Sequence, residues 1–255
     1  MRNLILRGTI LILLLQADPQ SKFLKTELPV SDKSSAGAPL QAAGNATASS
    51  EITDKGIEST AQLTARVKNI STKPILAFEA ITDLSPSYGG GDRMISHHDY
   101  FFSDSLLTPG SSTEIAIAPH KEIVFWNRAE HPANFDDIHQ PSQARAEVKV
   151  TFVQFADGTT FGASQWSSTL TAERENMIAI MRGLLLAYDA DGEAGLKSAI
   201  EKELAKSGIP DDVFSSLGMI QRKFRGAGAA VTVQYLRDCL ANAQRRSNLL
   251  GAMTD

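Results

Sequence analysis

The chain changes its hydrophobic period near Trp166, and that change sets what it can fold into. From about Ala61 to that point, apolar residues alternate with polar ones and turn residues interrupt them. Beyond it they recur every three or four residues to the C-terminus. A period of two belongs to half-buried strands and a period near 3.6 to amphipathic helices, so the pattern predicts an α+β protein with segregated parts. The expected organisation is an export signal over 1–17, a mobile linker over 18–60, a β-sandwich over 61–168 and a helical domain over 169–250.

The leader carries Arg2 and Arg7, an apolar run from Thr9 to Leu15, and Gln16-Ala17 as a small-residue cleavage point. This is the layout of a secretory signal peptide. Leu4–Leu15 is too short to span a bilayer, which takes about 20 residues, and Arg7 interrupts it. The expected location is therefore periplasmic or secreted. Residues 18–60 are dominated by Ser, Ala, Gly, Thr, Lys and Pro, a composition with little large apolar surface to offset ordering entropy. Asn45-Ala-Thr47 and Asn69-Ile-Ser71 match the glycosylation sequon.

In the β-half, Leu63, Ala65 and Val67 alternate before the turn Asn69-Ile-Ser-Thr-Lys-Pro74, and a second strand follows over Ile75–Ile81. Further strands are expected at Tyr100–Phe102, Glu114–Ala118, Lys121–Trp126, Ala146–Phe155 and Thr159–Gly162. Within Ala146–Phe155 the apolar parity switches, which predicts a bulge or a strand buried on both faces. Asp157-Gly158 supplies a tight hairpin turn. Roughly seven short strands in such a length fit an immunoglobulin-like antiparallel sandwich. The run Ala65-Arg-Val-Lys-Asn69-Ile-Ser-Thr-Lys-Pro74-Ile, with Leu107-Thr-Pro109-Gly110 and Val150-Thr-Phe-Val-Gln-Phe-Ala-Asp-Gly158-Thr, resembles the extracellular Ig-like modules of bacterial envelope proteins, the FxLYD type being nearest. The resemblance covers residues 60–165 and implies a fold and an envelope setting, with no active site.

In the C-terminal half Thr171 is the expected first N-cap, followed by Met177, Met181, Leu184 and Tyr188 on one face. Gly192 ends that helix, and a second carries Leu196, Ile200 and Leu204 as far as Gly208. Pro210, Asp211 and Asp212 open a third, and a fourth follows Gly226-Ala-Gly228. Stripes this narrow must bury against one another or against a partner, which predicts a small bundle. Cys239, the single cysteine, falls on the fourth stripe as a buried thiol and excludes an intrachain disulfide.

The formal charge is −4 and residues 171–255 are balanced, so no basic surplus exists for a nucleic-acid backbone. All five histidines lie in the β-half. If two loops meet, His97, His98, Asp99, His131, Asp136, Asp137 and His139 are the residues with the chemistry to hold Zn²⁺ or a similar ion. Their spacing matches no metal motif, and solvated loop histidines are the plainer reading. Gly162-Ala-Ser164-Gln-Trp166 lacks the last glycine of a nucleophile elbow. The pairs Asp136-Asp137 and Asp211-Asp212 read as a loop and a helix start. Tyr88 and Phe135 are the loop aromatics best placed for an exposed contact. The expectation is a non-enzymatic binding or assembly module without cofactor, partnered by another envelope or extracellular protein. A metal-dependent hydrolase built on the loop histidines is the competing class.

Overall fold

A computed structural model describes residues 23–85, 91–125 and 144–251. The strands are β1 (Phe23–Pro29), β2 (Ser31–Asp32), β3 (Leu40–Ile52), β4 (Gly56–Asn69), β5 (Ile75–Ser85), β6 (Asp92–Asp99), β7 (Ser112–Phe125), β8 (Arg145–Phe155) and β9 (Thr160–Gly162). Two helical elements follow, α1 (Gln165–Leu204) and α2 (Asp211–Gly251). One sheet has the order β1-β3-β4-β7 and the other β2-β8-β5-β6, with β9 beside β8. All pairings are antiparallel except β2 with β8. The expected α+β class and two-sheet sandwich are what the chain forms.

The linker expected over 18–60 is corrected by β1, β2 and β3. Along β3, Leu40, Ala42, Ala46, Ala48, Ser50 and Ile52 are buried while Gln41, Ala43, Asn45 and Glu51 are exposed. The strand period is therefore present, carried by alanine and serine rather than by large apolar residues. β3 pairs with β4 in register from Leu40↔Asn69 to Ile52↔Ile57. The connecting turn is closed by Thr53, whose N–H donates to Gly56 O at 2.8 Å and whose Oγ1 accepts from Gly56 N–H. Ser50 and Ser59, directly opposed and buried, satisfy each other at 2.8 Å between their hydroxyls. Asp32 ties the sheets together at one end, accepting from Ala42 N–H at 2.9 Å.

Between the sheets lies a core of Leu40, Leu63, Val67, Ile75, Phe78, Leu84, Val148, Val150 and Val153 with several alanines. Bulges set which residues reach it. Opposite β5 the register of β8 slips between Phe152↔Glu79 and Val150↔Ala80, leaving Thr151 unpaired. The expected parity switch falls there. Val150 and Val153 thus both enter the sandwich, while Phe152 turns to the other side of the sheet. Strict alternation would put Phe152 on the face of Val150; the extra residue separates them. A second slip lets β7 run unbroken through Pro119, which with Ala118 stands opposite Gln62 alone. Pro119 therefore does not divide two strands, because a bulge requires no ladder hydrogen bond from it. Tyr100–Phe102, expected as a strand, is a turn, and the strand precedes it as β6.

Asn69 is fully buried, and its Nδ2 donates to the Lys73 and Leu107 carbonyls at 2.9 Å each. Its sequon is a turn clamp with no free amide. Asp157-Gly158 makes the expected hairpin, with Gly158 at φ 79°.

α1 begins earlier than the expected Thr171. Ser164 is the N-cap, forming a reciprocal capping box with Ser167. Each helical element doubles back on itself. A Cβ on Gly195 would lie 2.2 Å from the Ala187 carbonyl oxygen, although eight residues of straight helix would separate them by about 12 Å. The chain reverses at Asp191-Gly192, where Gly192 takes φ 57°. Likewise Lys223 Nζ stands 4.8 Å from the Tyr235 ring, against about 18 Å along a straight helix, because Gly228 at φ 82° turns the chain. The result is four helical arms, broken at the glycines the sequence marks. Met177, Met181, Leu184, Leu196, Ile200, Leu217, Ile220, Val233, Leu236 and Cys239 form their common core. Burial raises the pKa of the Cys239 thiol, consistent with an inert side chain. No helix among the described residues is long and apolar enough to cross a bilayer.

Two glycines separate packing from propensity. Gly195→Ala should cost about 1–3 kcal/mol in urea denaturation, because the arms cannot part without loss of their core. Gly183, exposed in mid-helix with open space around its Cα, should gain up to about 1 kcal/mol on substitution by Ala.

Candidate functional site: the joint between sandwich and helices

β5 is buried on both faces: Phe78, Ala80 and Leu84 enter the sandwich, whereas Leu76, Ala77 and Glu79 face the helices. On that outer side Ala77 and Phe152 pack against Trp166 and Leu170 of α1. Leu76 and Phe101 meet Ala243 of α2. The Thr151 bulge is what delivers Phe152 to this side, where its ring meets Trp166 edge-on at 6.1 Å.

Glu79 is a carboxylate 6% exposed, so it must be partnered. Its Oε1 accepts from Thr151, the bulged residue, at 2.5 Å. Its Oε2 faces His97 Nε2 at 3.2 Å. The other nitrogen of that ring, Nδ1, stands 2.7 Å from Asp212 Oδ2 at the start of α2. The imidazole lies flat on Trp166, with centroids 4.4 Å apart and planes within 3°. Burial depresses the His97 pKa, but the hydrogen bond and charge of Asp212, and then those of Glu79, outweigh it and leave the pKa raised above 6.5.

A second charged pair sits beside the first. Arg174 is 6% exposed and grips Asp99 with two bonds of 2.8 Å, from Nε and Nη2. Its Nη1 donates to Gln154 at 2.9 Å, and its guanidinium covers the Phe101 ring at 4.5 Å. The fork matches a carboxylate in a plane, a geometry lysine cannot reproduce. Glu173, on the same turn of α1, accepts from Trp166 Nε1 at 3.0 Å and from Thr169 Oγ1 at 2.6 Å. Together these groups border a cleft of about 390 Å³ whose apolar lining includes Phe102, Trp166, Leu170, Met177, Val213 and Met219. Arg222, Ser215 and Ser216 complete its rim.

Of the sequence candidates, His97 and Asp99 belong to this joint and His98 does not. The three fall on β6 rather than in a loop, so neighbours point to opposite faces. His98 stacks on Phe78 at 4.4 Å, and burial, then the charge of His97, lower its pKa. The imagined convergence of His97 with His98 is thereby corrected. Both nitrogens of His97 are engaged by carboxylates, which leaves no lone pair for a metal. Among the described residues no group of three His, Cys, Asp or Glu side chains is placed to hold an ion. His131, Asp136, Asp137, His139, Tyr88 and Phe135 lie outside the described residues.

Glu79, Arg174, Asp212 and Trp166 are the site residues that sequence reasoning missed. Glu79 interrupts the apolar run Ile75–Ile81. Arg174 occupies a stripe otherwise made of Trp166, Leu170, Met177, Met181 and Leu184. A charge at an apolar position was the available signal.

Arg174→Ala should destabilise the protein by about 3 kcal/mol or more, since it strands Asp99 at a half-buried joint. Arg174→Lys should recover less than half of that loss in the same thermal or urea melts, because the second bond to Asp99 and the contact to Gln154 cannot both be remade.

Compared with protein-family models, curated proteins and solved structures, the chain matches none.

Proposed function

We propose that this chain is a non-enzymatic binding or assembly module of the cell envelope, which uses the helical side of the joint as its contact surface. The observation that carries this reading is how the polar groups of the cleft are spent. His97 bonds Glu79 and Asp212, Arg174 bonds Asp99 and Gln154, and Glu173 bonds Trp166 and Thr169. A general base or nucleophile needs a lone pair aimed at substrate, whereas the carboxylate lone pairs here face donors of the chain itself. What stays open is the apolar lining, including Met219, with Arg222, Ser215 and Ser216 at the rim and Phe214 about half exposed nearby in sequence. Apolar surface framed by polar groups is the usual make-up of a protein contact. The leader over 1–17 supports an envelope setting for the partner.

The test has two parts. The intact mass of the protein from host periplasm or medium should begin near Asp18, with no stoichiometric metal. A photo-crosslinking residue at Met219 should capture a discrete envelope protein in living cells, while one at Ile70, exposed on the turn between β4 and β5 and outside the cleft, should not. A full-length mass confined to cytosol, or retained metal, would refute the reading.

A further inference from the structure

His97 stands between two carboxylates, one on each ring nitrogen, at 2.7 Å and 3.2 Å. An ionised carboxylate only accepts hydrogen bonds, and a neutral imidazole has one N–H. With both carboxylates ionised, the two contacts are satisfied together only when both nitrogens carry a proton. The ring is therefore an imidazolium in this arrangement, a conclusion that follows from the count of donors.

The two carboxylates are not equivalent. Glu79 lies in β5, its side chain 8% exposed, and is anchored again by Thr151. Asp212 lies in the first turn of α2 with its side chain 44% exposed. A buried carboxylate without a donor is costly, while an exposed one is taken up by water. When the ring loses a proton, the remaining N–H belongs on Nε2 toward Glu79, and Nδ1 then presents a lone pair to Asp212. Asp212 swings to solvent, where the N-terminus of α2 still favours its charge.

We propose that His97 is a proton-operated latch between the sandwich and the helices: protonated, it ties α2 to β5 through Asp212 and Glu79, and loss of its Nδ1 proton frees the start of α2. The charged and titratable groups around the ring come from every element packed on it. They are Glu79 from β5, His98 from β6 and Asp212 from α2, with Asp99, Glu173, Arg174 and Arg222 lining the same cleft. Glu173, Asp99 and Arg174 are held by other partners, and of the two carboxylates on the ring Asp212 is the exposed one. A histidine whose folded-state pKa is raised contributes its stabilisation below its ordinary pKa and loses it as pH climbs through the folded value. The latch is closed at acid pH and opens on the alkaline side. This inference rests on the geometry of the joint and is independent of whether the cleft binds a partner.

The experiment uses the full chain between pH 5.5 and 8.5. Histidine ring ¹⁵N shifts, with His97→Gln identifying the signal, should place the His97 midpoint above 6.5 and show Nδ1 as the nitrogen that deprotonates. Amide exchange over residues 214–217, whose N–H groups make the first helical bonds of α2, should accelerate about tenfold after correction for intrinsic rates on passing that midpoint. In Asp212→Asn the side chain can accept from or donate to Nδ1, so the acceleration should vanish; the position is exposed enough for the variant to fold. A midpoint at or below 6.5, deprotonation at Nε2, unchanged exchange across the midpoint, or equal acceleration in Asp212→Asn would each overturn the latch.

Discussion

A single strand buried on both faces governs this molecule. β5 gives Phe78, Ala80 and Leu84 to the core between the sheets and Leu76 and Ala77 to the interface with the helices. Strands covered on both sides have no polar face to offer water, so every charge on them must find a protein partner. Glu79 is the buried charge of β5, Asp83 being partly exposed and paired with Arg93, and its two partners come from elsewhere in the chain. Thr151 reaches it because β8 bulges, and His97 because β6 is aligned with Glu79 directly opposite. The same bulge turns Phe152 outward under Trp166. One extra residue in β8 thus provides both the hydrogen bond and the apolar seat by which the helices sit on the sheet.

The joint is built from ion pairs in which burial is unequal. Arg174 and Glu79 are covered, while Asp99 and Asp212 keep some water. Such pairs add little net stability over a well-packed apolar substitute, but they are unforgiving of the loss of one member. Their effect is positional. Bidentate geometry at Arg174 and the two-sided bridge at His97 fix the direction from which α1 and α2 approach, which apolar contact alone would leave loose.

Much of this was legible in the residues, and the failures share a cause. Alternation at Leu63, Ala65 and Val67, the parity switch near Thr151 and the glycines at 192, 208 and 228 announce their elements through size and backbone freedom. β3 does not stand out in the sequence because Ala42, Ala46, Ala48 and Ser50 carry the strand period with almost no side-chain volume. Composition argued for disorder where periodicity argued for a strand, and pairing on both sides decided the matter. β6 reads as a loop in the sequence because glycine precedes it and His97-His98-Asp99 end it. The site itself depends on contacts 75 or more residues apart, such as Arg174 with Asp99 and His97 with Asp212. Local pattern carries no record of those, beyond the oddity of a charge where an apolar residue was due.

The short parallel pair of β2 with β8 has a consequence for the order of assembly. Ser31 and Asp32 lie beside Glu147 and Val148, and Ser34 accepts from the Val150 N–H across 116 positions. Closing so large a loop is entropically slow, and parallel pairing returns little per residue. The helical arms, by contrast, are made of near neighbours and need no distant segment to begin. The chain therefore cannot be finished from its N-terminus as it emerges. β1 can pair with β3 beforehand, but β2 waits without a sheet neighbour until β8 arrives to receive it.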